Sequence, residues 1–243
     1  RPQGNAWTIE KAVATLPGRT QVEAEGLLTL AASAPSFSGS MLVASTQPSG
    51  LSAWLAGPVD QTIRQLPSLG FSAKVDLAPD LQRFEALELA IGTATLKGRI
   101  ERQAPLDAPA NLSFDLAGNA LDLDALKAVY SLVSGEEGGE SLLSNQIAGR
   151  LKVDRFSVGE ISAQGLNTVF SYGEAGIKLD TLEIADLGGA AITASGRAGG
   201  SLLDYSGEGT ATLKSADPRG LLEILQQRLP SHPLIDRLAA NAD

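Results

Sequence analysis

His232 is the only histidine in the chain and cysteine is absent, which removes thiolate nucleophiles, disulfides and cysteine metal sites from consideration. His232 stands in Ser231-His232-Pro233, a turn signal with no partner carboxylate marked for it. It reads as a solvated turn histidine and not as the base of a Ser-His-acid array. The patterns G-x-S-x-G, G-x-x-x-x-G-K-[ST] and H-E-x-x-H do not occur, so the common hydrolase, nucleotide and zinc signatures are missing. Asp122 with Asp124, and Glu136 with Glu137 and Glu140, are the carboxylate groupings that suggest a cation. Neither has the ligand spacing of a calcium loop, and they read as a helix cap and a solvated glycine-rich loop. No carboxylate pair is singled out for glycoside hydrolysis, and Asn111-Leu112-Ser113 is a glycosylation triplet too short to weigh. Trp7 and Trp54 are the residues that would stack on a sugar, but Trp54 occupies a slot filled elsewhere by Val129 and Ile224, which points to helix packing. The expectation is a protein that is not an enzyme and that has no catalytic residues, metal or cofactor.

Without chemistry to position, the elements themselves carry the reading. The chain has 243 residues, is 43% hydrophobic and only 5% aromatic, and holds 26 glycines, a mixture suited to many turns and thin layers. Its net charge of -9 and pI of about 4.7 lack the Lys/Arg surface that drives nucleic-acid affinity. Met41 is the only methionine, so Arg1 is expected to open a processed chain or a piece of a longer one. No stretch approaches the roughly 20 apolar residues needed to span a bilayer.

Period-two alternation marks strands over 7–13, 21–31, 36–45, 70–77, 84–91, 93–101, 111–116, 147–156, 161–172, 176–184, 190–197 and 205–214. A cassette punctuates them. Ser45-Thr46-Gln47-Pro48-Ser49-Gly50-Leu51 is matched by Ser215-Ala216-Asp217-Pro218-Arg219-Gly220-Leu221, and a degenerate copy runs from Ala120 to Tyr130. Each copy starts a helix: Asp122 or Asp217 caps it, Gln47 is the weaker cap, and proline suits the first helical position. Leu51 with Leu55, and Leu221 with Leu225, are four residues apart and are expected to cover the end of a sheet from one helix face. Self-similarity on this scale is the mark of a repeat architecture. Three units are therefore expected: 1–58 with a helix at 49–56, 59–140 with a helix at 122–133, and 141–243 with helices at 218–229 and 233–240. Each holds about five strands plus a short helix, the first being a partial unit. The amphipathic segment 218–229 carries too little Lys and Arg for a membrane-surface helix and reads as a sheet cap.

Leu16-Pro17-Gly18 with Val22-Glu23-Ala24-Glu25-Gly26, then Phe37-Ser38-Gly39-Ser40 leading into the first cassette, resembles the extracytoplasmic repeats of AsmA-like proteins, TamB-type relatives included. Asp186-Leu187-Gly188-Gly189-Ala190-Ala191-Ile192-Thr193-Ala194-Ser195-Gly196 does the same. The resemblance covers most of the chain in pattern and rests on no invariant motif. It implies a mainly β protein, an elongated curved antiparallel sheet of repeating β-groove units whose apolar inner face forms a trough. It also implies a bridge-like lipid carrier of the bacterial envelope, periplasmic, with a parent protein anchored in the inner membrane and reaching envelope membranes through segments missing from this chain. The partner would be phospholipid or another acyl lipid, and an edge-strand dimer is a further expectation because truncated repeats leave end strands open. The trough candidates are Phe71, Val75, Leu77, Leu87, Leu89, Ile91, Leu151, Val153, Ile177, Leu179, Leu182, Ile184 and Ile192. The competing readings are a β-rich scaffold whose apolar faces are fully packed and a carbohydrate-binding β-domain. An open trough about 10 Å or more across, set against the face-to-face spacing of packed sheets, separates the first of these from lipid carriage.

Overall fold

Alternating apolar and polar residues form strands here because each strand can bury one face while its backbone pairs sideways, and the chain repeats this thirteen times. The computed structural model describes residues 2–31, 34–57, 64, 66, 68–126, 129, 146–201 and 204–228. The strands are β1 (Pro2–Gln3), β2 (Ala6–Leu16), β3 (Thr20–Leu30), β4 (Pro35–Ser45), β5 (Leu69–Leu77), β6 (Leu81–Ile91), β7 (Ala94–Gln103), β8 (Asn111–Asp122), β9 (Gln146–Val158), β10 (Ile161–Gly173), β11 (Gly176–Leu187), β12 (Ala190–Ser201) and β13 (Asp204–Ser215). They lie side by side in sequence order in one sheet that is not closed. All neighbours pair antiparallel except β8 and β9, which are parallel. The helices are α1 (Pro48–Ala56) and α2 (Arg219–Arg228), with a helical turn at 123–126. The expected helix at 233–240, His232, and Glu136, Glu137 and Glu140 lie outside the described residues.

The sheet runs without interruption past the expected unit boundaries at 58 and 140, since β4 pairs with β5 and β8 with β9. Repetition survives inside it in a different form. In β2, β6 and β11 three residues on the bulged strand span two on the next, between Ile9 and Ala12, Phe84 and Leu87, and Leu179 and Leu182. Each bulge sits beside a glycine of the following strand, Gly26, Gly98 or Gly196. The repeated element is thus a bulged strand, two further strands and a helix, as in β2–β4 with α1 and β11–β13 with α2. One strand, β5, separates the first copy from the second, and two, β9 and β10, separate the second from the third. The strands number four, four and five across the three expected spans, and the extra strand of the last accounts for the unequal spacing of the cassettes.

Each residue of the cassette signature has a mechanical part. Ser45 Oγ donates to the carbonyl of Gly18 at 3.0 Å, and Ser215 Oγ donates to that of Gly189 at 2.8 Å, so the leading serine ties the end of the third strand to the hairpin turn behind it. Helix and turn then touch backbone to backbone. A Cβ on Gly50 would stand 2.7 Å from Gly18 Cα, and one on Gly220 would stand 2.7 Å from the Gly188 carbonyl oxygen, closer than real Cβ atoms approach. Leu51 and Leu221 are buried at the junction. Asp122 Oδ1 accepts from the amides of Asp124 and Ala125, and Asp217 Oδ1 from that of Arg219, while Gln47 makes no side-chain cap, as its weaker capping strength implies. Two expectations are corrected. Leu55 is 53% exposed and Trp54 56% exposed, so neither covers the sheet: α1 docks through Leu51, Ser52 and Gly50, a footprint set by the glycine contact and too narrow to reach them.

Candidate functional site

The cross-strand register resolves the sheet into one apolar and one polar face. Residues directly opposite one another share a face, and following partners from strand to strand gives the row Ile9, Gly26, Gly39, Val75, Phe84, Ile100, Phe114, Gly149, Phe170, Leu179, Gly196, Gly209 from β2 to β13. A second row, four residues along on the regular strands and five on the bulged ones, runs Ala14, Val22, Val43, Phe71, Leu89, Leu96, Gly118, Val153, Leu166, Ile184, Ile192, Leu213. No polar side chain interrupts either row. On the other face the row through Asp76 reads Ser38, Asp76, Arg83, Glu101, Ser113.

All thirteen trough candidates stand on the apolar face. Phe71, Leu89, Val153, Ile184 and Ile192 belong to the second row, and Val75 and Leu179 to the first. Leu87, Leu151 and Leu182 lie between those rows, Leu77 and Ile177 in the row toward one rim, and Ile91 toward the other. Sequence reasoning missed Phe84, Leu96, Ile100, Phe114, Leu166 and Phe170 on the same face. Phe84 was hidden by the bulge, in which Ala86 takes a positive φ of 48° and re-aims the next residues. Phe114 and Phe170 were visible as strand aromatics but not as partners. They flank Gly149, and their rings meet edge to face over it with centroids 5.9 Å apart.

The strands pack on their sheet neighbours, and among the described residues no second sheet covers the apolar face. Several side chains on it are nonetheless deeply shielded, with Val153 1% and Val75 2% exposed, packed on neighbours of the same face. Shielding of that kind within one layer requires the strands to curl toward the apolar side. At the degenerate cassette, where Ala125 replaces the docking glycine, the apolar face opens into a recess of about 500 Å³ between Leu89, Leu96, Leu121, Phe156 and Ala163.

The polar face is laced with exposed ion pairs. Arg83 Nε donates to Glu101 Oε2 at 2.7 Å, and that hydrogen bond, reinforced by one from Gln103, holds the Glu101 carboxyl below its ordinary value. Among the described residues no three His, Cys, Asp or Glu side chains converge on a point that would hold a metal. Asp124 instead accepts the amide of Gly159 at 2.6 Å, a contact between the helical turn and the β9–β10 hairpin. No described helix is long and apolar enough to cross a membrane.

What these features define is an open, single-layer β-sheet with a predominantly apolar face and a charged back. No family model, no curated protein and no solved structure matches the chain.

Proposed function

We propose that the chain is a non-catalytic periplasmic segment of an AsmA-like envelope protein, binding lipid acyl chains along the apolar sheet face and passing phospholipid along it in support of outer-membrane homeostasis. The observation that carries this reading is the pair of apolar rows crossing twelve strands with no second sheet over them among the described residues. An apolar surface of that extent is unfavourable in water and calls for an occupant. An acyl chain fits because it needs no specific polar partner: each buried methylene contributes about 0.8 kcal/mol, so one long chain is held by several kcal/mol. Contacts repeated from strand to strand also let it slide. The headgroup stays in water at the open rim.

Native mass spectrometry of the purified chain tests the reading, together with photocrosslinking from positions 75 and 184. The expected result is co-purified phospholipid, crosslinked from both positions and not from position 74 on the polar face. Recovery of lipid-free protein with no crosslink would instead favour a scaffold that binds another envelope protein at a sheet edge.

A further inference from the structure

A charged side chain, Arg102, stands in a rim row of the apolar face. The rim row runs Leu77, Gln82, Arg102, Leu112, Ile147, Tyr172 from β5 to β10, and Arg102 is half-buried within it. Its placement is built. Gln82 Nε2 donates to the carbonyls of Ala78 at 2.7 Å and Pro79 at 3.3 Å, and its Oε1 accepts from Arg102 Nη1 at 2.8 Å. The β5–β6 turn therefore fixes Gln82, and Gln82 fixes the guanidinium. Among the described residues no carboxylate lies within ion-pair distance of it, although Arg83 and Lys97 on the opposite face are both paired. Arginine offers five N–H donors in a planar fork matched to carboxylate and phosphate, and one of these is spent on Gln82.

Resting on the acyl-chain reading above, we propose that Arg102 is the headgroup-binding residue of the trough and selects amphiphiles with an anionic phosphate headgroup. An acyl chain laid along Phe84, Ile100, Phe114 and Phe170 runs one row in from Arg102, since Ile100 and Phe114 stand two residues from Arg102 and Leu112 on the same strands. A phosphate attached to that chain reaches the rim where the guanidinium waits. Charge-assisted bonds of this type are about twice as strong as neutral ones, and beside an apolar face they are screened less than at an open surface.

The test exposes the full chain to vesicles of equimolar phosphatidylglycerol and digalactosyldiacylglycerol, which has no phosphate, with matched acyl chains, then identifies bound lipid by native mass spectrometry. Wild type is expected to enrich phosphatidylglycerol roughly tenfold, the scale of one charge-assisted contact. Arg102→Gln abolishes the enrichment while the total lipid bound is unchanged, and Arg102→Lys keeps part of it. Gln82→Leu, which retains the charge but frees it, lowers enrichment by less than Arg102→Gln. Equal uptake of both lipids by wild type, or enrichment that survives Arg102→Gln, overturns the assignment and leaves the acyl-chain reading standing. Failure of every variant to take up either lipid overturns both. Inorganic phosphate alone, titrated against the Arg102 Nε resonance, leaves it unmoved below millimolar concentration; tighter binding would mark a free-anion site and refute the lipid assignment.

Discussion

Gly149→Ala puts the stacking of the apolar face to a test whose sign reverses with background. An ideal Cβ at Gly149 would lie 2.7 and 2.8 Å from Phe114 Cε2 and Cε1, and closer still to Cζ. The backbone of Gly149 is not in the left-handed region, so the substitution brings no φ strain and its effect is steric. Ordinary carbon contacts sit at about 3.5–4.0 Å, so the ring must retreat by roughly 1 Å. That retreat breaks the edge-to-face pair with Phe170, worth about 0.5–1.5 kcal/mol. Overpacking adds a cost of about 1 kcal/mol or more, while replacing a strand glycine returns about 0.5–1 kcal/mol of chain entropy. The net expectation is a loss of about 1 kcal/mol, read as a lower urea midpoint at constant slope. In a Phe114→Ala background the obstacle is gone, only the entropy term remains, and the same substitution raises the midpoint by the equivalent of about 0.5 kcal/mol. A double-mutant cycle thus yields a coupling of about 1.5 kcal/mol. If Gly149→Ala is neutral or stabilising with Phe114 in place, the rings do not lie over β9 and the row continuity argued above is wrong there.

Three further outcomes are expected. Thr20 and Ser45 are 0% and 2% exposed and share a 2.9 Å hydroxyl bond, with Ser45 also holding the Gly18 carbonyl; Ser45→Ala is expected to cost about 1–3 kcal/mol in thermal unfolding, against a smaller loss for Ser215→Ala, whose hydroxyl is only half-buried. The Asp217 carboxyl is lowered from 3.8 to about 2, first by the hydrogen bond from the Arg219 side chain and then by that of its amide. A depressed carboxyl stabilises the fold fully above its ordinary value and ceases to do so as pH falls through about 2; carboxyl NMR should show that midpoint, and Arg219→Ala should move it up toward 3.8. Along β13 the side chains from Ser206 to Lys214 are exposed, and antiparallel pairing of two copies about Ala211 sets Glu208 opposite Lys214. Sedimentation is expected to show a concentration-dependent dimer that Lys214→Glu dissociates and Glu208→Lys with Lys214→Glu restores; a monomer at every concentration counts against the edge.

The strands were legible because alternation is a local property: the spans read from the sequence for β3, β4, β10 and β13 differ from the observed ones by about a residue at either end. The cassette was legible as a pattern but not as a mechanism, since the partner of Gly50 is Gly18 in an earlier turn and no local rule links them. Trp54 was misread for the same reason. Its slot in the alignment of cassettes matches apolar residues, yet the glycine contact fixes how α1 lies, and that geometry leaves the indole in solvent. Arg102 went unremarked because a lone arginine at a strand end has no signature; only the register, which ties it to Gln82 and Leu112, puts it on the apolar side.

The bulges explain how a strand of eleven residues or more keeps one face apolar while the sheet curls. A regular strand drifts as it twists, and a side-chain set aimed at the trough at one rim would be misaimed at the other. One extra residue shifts the alternation by a step and adds local twist. In β11, Ile177 and Leu179 precede the extra residue while Leu182 and Ile184 follow it, so all four face the trough although their numbers change parity. In β6 the same device unites Phe84 with Leu87 and Leu89. An apolar face needed only as packing against a second sheet tolerates local misaim, because the partner sheet fills the gaps. A face left without a partner sheet has nothing to fill such gaps, and the bulges in β2, β6 and β11 restore its phase at the same point of each repeat, which is what continuity along the sheet requires.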